Sequence, residues 1–242
     1  MKALRTTLVL TCAGLMLGST LSFAQKKDEN APPGTDTGPN CDITGYKTER
    51  IVYPTPIAIP DDDPVGLTLG PIFMPPDGDL VNDVVLELNA SHTWIGDLIV
   101  ELVYDPDCEG PAGGIAARAI CRPRGTAVGS PPPCGGAAGT FGCSGNLDGT
   151  APYRISDDAT TPIASGLCTA IIAPGCYKQS DLGTSPFSIW RGLPKGGCWY
   201  LHVSDNAGAD LGAVFGWAVF IRNQHPVPTV AQSWGRVKNI YR

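Results

Sequence analysis

Four stretches of alternating apolar residues constrain the fold of this chain most strongly. Every second residue is apolar in VVLEL (84–88), LIVELVY (98–104), WYLHVS (199–204) and FGWAVFI (215–221). Side chains of a β-strand point to opposite faces in turn, so this period of two predicts strands with one buried face. The chain also has 30 glycines and 23 prolines, which favour turns over long helices. We therefore predict an all-β fold, an antiparallel β-sandwich.

The first 24 residues have the features of a secretory signal peptide. Lys2 and Arg5 precede an apolar run from Leu8 to Leu17, and a small residue, Ala24, closes the segment. We expect cleavage near Ala24 and a protein that is secreted or held at the cell surface. Nothing later in the sequence supplies the roughly 20 consecutive apolar residues of a membrane span. With 17 basic and 23 acidic side chains, the chain is also a poor partner for nucleic acid.

Cysteines predict covalent cross-links. Nine are present, and Cys12 lies in the signal peptide. The other cysteines are Cys41, Cys108, Cys121, Cys134, Cys143, Cys168, Cys176 and Cys198. An even number in an exported chain indicates four disulfides rather than a zinc site, because none of the pairs has CxxC spacing. The pairing is open at this stage, and local pairs such as Cys134 with Cys143 and Cys168 with Cys176 are our expectation.

Composition divides the rest of the chain into three parts. Residues 25–40 are polar and rich in Pro, Gly and Asp, which predicts a flexible leader. Residues 41–224 hold the predicted strands and form one domain, with a cysteine-rich insertion at about 105–152 where the alternation stops. Residues 225–242 form a C-terminal tail that ends in WGRVKNIYR. This tail is either a basic amphipathic segment recognised by export or attachment machinery, or a frayed terminus.

Four sequence blocks, taken in order, resemble a known domain. They are IPDDDPVGL (59–67), LNASHTWIGDLIVELVYDP (88–106), ISDDATTPI (155–163) and GLPKGGCWYLHVSDNAGADLGAVFGWAVFI (192–221). Together they are similar to the landmarks of the P domain, or P/Homo B domain. That domain follows the catalytic domain in kexin, furin and other proprotein convertases and in bacterial subtilisin-like serine proteases. The resemblance implies a jelly-roll sandwich similar to galactose-binding-like modules, with disulfide-stapled loops in this chain.

The resemblance links the chain to serine-type endopeptidases and proteolysis, although the residues predict no catalytic centre. Only LGTSPF (182–187) is similar to the serine motif of subtilisin-like proteases, and Pro186 interrupts the helix that should follow Ser185. A serine without a neighbouring base is an ordinary alcohol. We therefore predict that the chain is not an enzyme. It is interpreted as a stand-alone binding or stabilising module whose partner is a subtilisin-like protease or an extracellular glycan or protein.

The stretch SHTWIGDL (91–98) has three possible interpretations: a catalytic pair, a metal site or a corner between two strands. In the P domain the matching stretch joins two strands, so His92 and Trp94 are expected at a corner of the sheet. Asp97 is expected to cap amides at that corner, because Asp side chains stabilise turns in this way. A structural role for His92 and Asp97 is our first interpretation.

Acidic residues at the turns predict a calcium site. Carboxylate and carbonyl oxygens are the ligands that calcium prefers. The candidate ligands are Asp205, Asp210, Asp97 and Asp61. Solvated turn residues are the alternative, because Asn206 and Gly208 set a turn without a metal.

Aromatic residues at loop tips indicate carbohydrate as a second possible ligand class. Carbohydrate-binding modules stack sugars on such rings, and the candidate rings are Trp94, Tyr153, Tyr177 and Trp190. Residues of this kind are more often part of a core. The function is therefore predicted as a protease-associated module, with an independent calcium- or carbohydrate-binding module as the alternative.

Overall fold

The computed structural model describes residues 41–123, 143–163, 171–180 and 186–224. Within these ranges the strands are β1 (Lys47–Ile59), β2 (Asp63–Met74), β3 (Leu80–His92), β4 (Leu98–Asp105), β5 (Ile115–Cys121), β6 (Asn146–Asp148), β7 (Tyr153–Ser156), β8 (Ile171–Ile172), β9 (Cys176–Tyr177), β10 (Gly197–Asp205) and β11 (Gly212–Gln224). Short 3₁₀ helices cover Ile95–Asp97, Pro111–Gly113 and Phe187–Trp190. In this part of the chain, no helix is long and apolar enough to cross a membrane.

The strands form two sheets that pack face to face. The larger sheet has seven strands in the order β1-β11-β3-β6-β8, with β7 also beside β3 and β9 beside β7. The smaller sheet has four strands in the order β2-β10-β4-β5. Neighbouring strands are antiparallel except in the short pairs β6–β8 and β7–β9. Residues of both sheets share one hydrophobic core. The predicted all-β sandwich is confirmed.

The four alternating stretches lie in β3, β4, β10 and β11 and supply much of the core. Their inward side chains, each at most 2% exposed, are Val84, Leu86, Leu88, Leu98, Val100, Leu102, Tyr104, Trp199, Leu201, Val203, Trp217, Val219 and Ile221. Burying a side chain of this size contributes roughly 1.5 to 3 kcal/mol. Phe215 is the exception, since a register shift between Val214 and Gly216 leaves it only half-buried.

Two strands, β5 and β6, lie where the alternation was expected to stop. β5 runs through the predicted insertion at 105–152 and pairs with β4 along its length. Its inward residues Ala117 and Ala119 are fully buried but small, so the segment shows little contrast between its two faces in sequence. The expectation of a loop without strands is therefore wrong for residues 115–121 and 146–148. Residues 124–142 of the insertion lie outside the described ranges.

Two disulfides join distant parts of the chain. Cys41 is bonded to Cys176, and Cys108 is bonded to Cys198. Cys121 is disulfide-bonded as well. The expected local pair of Cys168 with Cys176 is wrong, because the β7–β9 pairing brings Cys176 to a position where its Cα lies 5.7 Å from that of Cys41. Disulfides of this kind are typical of proteins that leave the cytosol.

Several predictions concern residues that the structure does not describe. They include the signal peptide at 1–24, the leader at 25–40 and the tail at 225–242. The expected pair of Cys134 with Cys143 also falls in this group, because Cys134 lies outside the described ranges. Cys168 lies outside them as well.

Candidate functional site

Three loops meet at one end of the sandwich, which we call the acidic end. They are the turn at 60–62 between β1 and β2, the corner at 93–97 between β3 and β4, and the loop at 206–211 between β10 and β11. The corner is held by the segment at 143–145: Ile95 N donates to the Gly145 carbonyl at 2.8 Å, and Gly96 N donates to the Cys143 carbonyl at 2.9 Å. The predicted corner at SHTWIGDL is thus present, and it connects the two sheets.

His92 and Asp205 form a buried pair at the base of the acidic end. His92 Nε2 lies 3.0 Å from Asp205 Oδ2, and the two side chains are 0% and 1% exposed. His92 belongs to the larger sheet and Asp205 to the smaller sheet, so the pair links the sheets. The sequence did not predict this contact, because the two residues are 113 positions apart.

The surroundings of His92 leave it no freedom to act as a base. Its Nδ1 lies 3.1 Å from the Trp94 amide nitrogen and 3.0 Å from the Trp94 carbonyl oxygen. Gly212 packs directly on the ring: a Cβ at that position would come within 2.4 Å of His92 Cδ2. Both imidazole nitrogens therefore face fixed partners in a closed space. A general base needs one nitrogen free to reach a reacting proton, so His92 has the geometry of a structural residue.

Asp97 is buried beside the pair. Burial raises the pKa of its carboxyl, and this effect outweighs the opposing influence of Arg122. Arg122 Nη2 lies 3.5 Å from Asp97 Oδ1, which is a loose contact. The carboxylates of Asp205 and Asp210 raise the pKa of Asp97 further. The sequence placed Asp97 correctly at the opening of β4 but missed Arg122, for which no motif gives a signal.

The loop at 206–211 is tied to the rest of the acidic end by side chains and backbone. Asn206 N donates to the Asp97 carbonyl at 2.9 Å, and Asn206 Nδ2 donates to the same oxygen at 3.2 Å. Thr93 Oγ1 donates to Asp210 Oδ1 at 2.7 Å. Ala209 N donates to Asp61 Oδ2 at 3.4 Å. These contacts hold the last loop against the first turn and the corner.

The four candidate calcium ligands therefore lie in one region. They are Asp61, Asp97, Asp205 and Asp210. At the acidic end, Asp61 and Asp210 accept hydrogen bonds from Ala209 and Thr93, and Asp205 faces His92. Among the described residues, no group of three or more His, Cys, Asp or Glu side chains is arranged to hold a metal ion.

Of the other two histidines, the structure describes His202, which lies outside this region. His202 lies on β10, where it is half-buried, and its Nδ1 is 3.2 Å from Oγ1 of the exposed Thr68. His225 and Ser185 lie outside the described ranges.

Two of the four candidate sugar-stacking rings are buried in the interior, and the other two, Trp94 and Tyr177, are half-buried. Tyr153 and Trp190 are both 0% exposed. Trp190 Nε1 donates to the Ile115 carbonyl at 3.0 Å, and its ring packs edge-on against Trp199 at 5.1 Å between centroids. Tyr177 is half-buried against the same core, and its hydroxyl donates to the Ala173 carbonyl at 2.6 Å. Neither Tyr153 nor Trp190 offers a face to a sugar.

Comparisons with known proteins give little beyond this geometry. No protein-family model matches the sequence, and none of the curated proteins compared with it matches. Among solved structures, the chain is similar to the serine protease of Aeromonas sobria in complex with the chaperone ORF2, at 12% identity and a TM-score of 0.38. That match covers 75% of this chain and 27% of the other. A structure of the serine protease of Aeromonas sobria matches at 10% identity and a TM-score of 0.37, over 72% of this chain and 26% of the other.

The chain thus spans about a quarter of the length of these two structures. We draw no family assignment or activity from likenesses at this level, and membership in the P/Homo B domain stays a prediction from the sequence.

Proposed function

We propose that this protein is an exported, non-catalytic module of the P/Homo B type that binds and stabilises a subtilisin-like serine protease. The observation that carries the proposal is the meeting of three of the four resembling sequence blocks at the acidic end. IPDDDPVGL supplies the turn at 60–62, SHTWIGDL the corner, and SDNAGADL the loop at 206–211. Residues far apart in sequence are thereby gathered into one surface, as a binding function requires.

The order of the strands supports the jelly-roll part of the proposal. Leaving out the short β6, β8 and β9, the larger sheet has the order β1-β11-β3-β7 and the smaller sheet β2-β10-β4-β5. Numbered one to eight along the chain, these are the orders 1-8-3-6 and 2-7-4-5. This interleaving of two four-stranded sheets is the arrangement of a double Greek key.

The non-catalytic part rests on the chemistry of the imidazoles. His92 is enclosed, and both of its ring nitrogens face fixed partners. His202 is hydrogen-bonded to Thr68 of the edge strand β2. Among the described residues, the hydrogen-bond partners of these two side chains are Trp94, Asp205 and Thr68, and none of these is a serine. Turnover of casein or dibasic peptides by the purified chain would contradict this part of the proposal.

A binding experiment tests the main proposal. The purified chain is titrated into a subtilisin-like catalytic domain that has no P domain of its own, encoded in the same genome. Binding is measured by calorimetry and stabilisation by the melting temperature of the protease. We expect Asp61→Asn/Asp210→Asn, which neutralises two charges at the acidic end, to weaken binding. The matched control is Asp107→Asn/Glu109→Gln, which removes the same charge from the exposed loop after β4, at the opposite end of the sandwich. Equal loss in both variants, or no binding by the wild type, would overturn the proposal.

Calcium binding at the acidic end is a second proposal, favoured by the proximity of Asp205 and Asp210 to the buried Asp97. A ligand that binds only the folded state raises its stability by mass action, by about 2.7 kcal/mol at a hundredfold excess over Kd. We expect calcium to raise the melting temperature of the wild type and of the Asp107→Asn/Glu109→Gln control, and to leave Asp61→Asn/Asp210→Asn unaffected. A midpoint that is the same in calcium and in EDTA would exclude this second proposal. The carbohydrate alternative has less support, since Tyr153 and Trp190 are buried, and a glycan panel in the same assay tests it.

A further inference from the structure

Residues 41–46, which we call the N-terminal strap, cross the outside of the larger sheet. Cys41 is bonded to Cys176 in β9, whereas Lys47 begins β1 at the opposite edge. The sheet order between them is β9-β7-β3-β11-β1. The strap folds into a turn at 43–46, and the disulfide, with 5.7 Å between its two Cα atoms, completes the connection across the three middle strands.

The strap covers a small apolar cluster on that outer face. The cluster is formed by Val85 of β3 and by Ala218 and Phe220 of β11, which are 1%, 0% and 3% exposed. Their neighbours in sequence face the main core, so these three side chains point to the other side of the sheet. Ile43 and Tyr46 of the strap pack against them. We call this cluster the outer strip.

Polar contacts to the sheet, within the part of the chain that the structure describes, come from the second half of the strap. Tyr46 donates its hydroxyl hydrogen to Asp83, and the guanidinium of Arg222 lies 5.5 Å from the centre of the Tyr46 ring. Within the strap, Tyr46 N donates to the Ile43 carbonyl at 3.0 Å. Its first half is held by the bond from Cys41 to Cys176. The covalent bond is thus the attachment at one end, and a few side-chain contacts are the attachment at the other.

We propose that the N-terminal strap is a redox-sensitive latch: while Cys41 is bonded to Cys176 the strap covers the outer strip, and when a dithiol opens that bond the strap leaves and the strip is exposed. The sandwich itself remains folded, because the strap contributes nothing to the core between the sheets. The strip lies beside the Arg154 guanidinium, which is 5.7 Å from the Phe220 ring and pairs with Glu87 at 3.0 Å, so its exposure would create an apolar surface edged by an ion pair.

The reduction follows ordinary thiol–disulfide exchange. Cys41 is 0% exposed and Cys176 is half-buried, so a thiolate of the dithiol attacks the sulfur of Cys176. The bond between the two cysteine sulfurs breaks, and Cys41 leaves as a thiolate that takes up a proton. The second thiolate of the reductant then displaces Cys176, which is protonated in turn. The dithiol supplies two electrons and is released as a cyclic disulfide.

Hydroxyl-radical footprinting with peptide mass spectrometry tests the latch. It measures the oxidation of individual side chains, and Phe220 reports on the outer strip. Trp217 is on the same strand, faces the core and is 2% exposed, so it reports on the integrity of the sandwich. In Cys41→Ser/Cys176→Ser we expect oxidation of Phe220 to rise several-fold while Trp217 stays protected. The matched control is Cys108→Ser/Cys198→Ser, which removes the other described pair and should leave Phe220 protected.

The second measurement uses the wild type reduced with dithiothreitol under native conditions, with alkylation of Cys41 and Cys176 identifying the opened molecules. This measurement tests the latch even if Cys41→Ser/Cys176→Ser does not fold. Oxidation of Phe220 alone, in step with alkylation, is the expected result. Oxidation of Phe220 and Trp217 together would mean that the strap leaves only when the whole domain unfolds, and continued protection of Phe220 would mean that it does not leave; either result overturns the latch.

Discussion

The imidazole of His92 and the carboxylate of Asp205 meet although 113 positions separate them in sequence. Reasoning from the sequence identified both residues, His92 as a corner residue and Asp205 as a metal candidate, and did not join them. The reason is physical. The alternation of apolar residues and the preferences of turn residues describe only a few neighbouring positions, whereas this pair depends on how the two sheets are stacked. The same holds for Arg122, whose approach to Asp97 depends on the pairing of β4 with β5.

We predict that Asp205→Asn destabilises the protein by about 1 to 3 kcal/mol, because one of the two buried carboxylate oxygens, which face His92 and the Ala207 amide, is replaced by an amide donor. Urea unfolding followed by tryptophan fluorescence measures the change. The control is Thr68→Val, which removes the partner of His202 at an exposed position and should have little effect. An Asp205→Asn variant as stable as the wild type would show that the pair does not link the sheets energetically.

Asp97 gives a prediction about pH. Its pKa is raised in the folded state, so the native protein holds this proton to a higher pH than the unfolded chain does. Stability is therefore lost as pH rises from the ordinary Asp range, near 3.8, through the raised folded pKa. We expect Asp97→Asn to be more stable than the wild type at pH 7 in EDTA, and this advantage to disappear below pH 3.8.

Thermal melts across that pH range, with Asp107→Asn as the control at an exposed position, measure the difference. An Asp97→Asn variant that is less stable than the wild type at pH 7 would mean that the Arg122 contact outweighs the cost of burial. If calcium binds at the acidic end, adding it should reverse the advantage by stabilising only the wild type.

Among the elements, the sequence predicted the central strands and missed those at the edges. β3, β4, β10 and β11 alternate clearly because one face of each is buried. β1, β2 and β5 lie at the edges of the sheets that the described residues form, and edge strands tolerate irregular sequence. β1 contains Pro54 and Pro56 within a register shift, and β2 contains Pro64 and Pro71. Prolines that argue against a strand in sequence are therefore compatible with these positions.

β5 provides a test of which side chains of a single strand face the core. Ala117 is fully buried and Ala116 is exposed. We predict that Ala117→Leu destabilises the protein by about 1 to 3 kcal/mol, since extra methyl groups strain a packed core, whereas Ala116→Leu leaves stability nearly unchanged. Chemical denaturation of the two variants gives the comparison. A larger effect for Ala116→Leu would show that Ala116, and not Ala117, faces the core. Equal effects would also contradict the prediction.

At the scale of the whole molecule, each of the two described disulfides anchors a segment on the outside of a sheet. The N-terminal strap lies on the larger sheet, and the loop after β4 is bonded through Cys108 to β10 of the smaller sheet. Cysteine counting predicted that bonds exist but not these partners, because pairing follows the positions of β9 and β10 in the folded sheets.

We predict that removal of either bond costs nearly the same. The bonds close loops with sequence separations of 135 and 90, and loop-closure entropy depends on the logarithm of loop length. Each is expected to contribute about 4 to 5 kcal/mol, with a difference below about 0.5 kcal/mol. Urea unfolding of Cys41→Ser/Cys176→Ser and Cys108→Ser/Cys198→Ser measures both values. A much larger difference would mean that one segment stabilises the native state by its own contacts.

The prolines of β1 and β2 have a bearing on how copies of the protein behave toward one another. An edge strand with a full row of amide hydrogens can recruit a strand from a neighbouring copy, and a growing stack of such additions becomes a fibril. Pro54, Pro56, Pro64 and Pro71 each remove one amide hydrogen from these two borders. Concentrated preparations are thus expected to stay dispersed and negative for thioflavin T, and replacing Pro54 and Pro56 with threonine is expected to shorten the time to fibril formation.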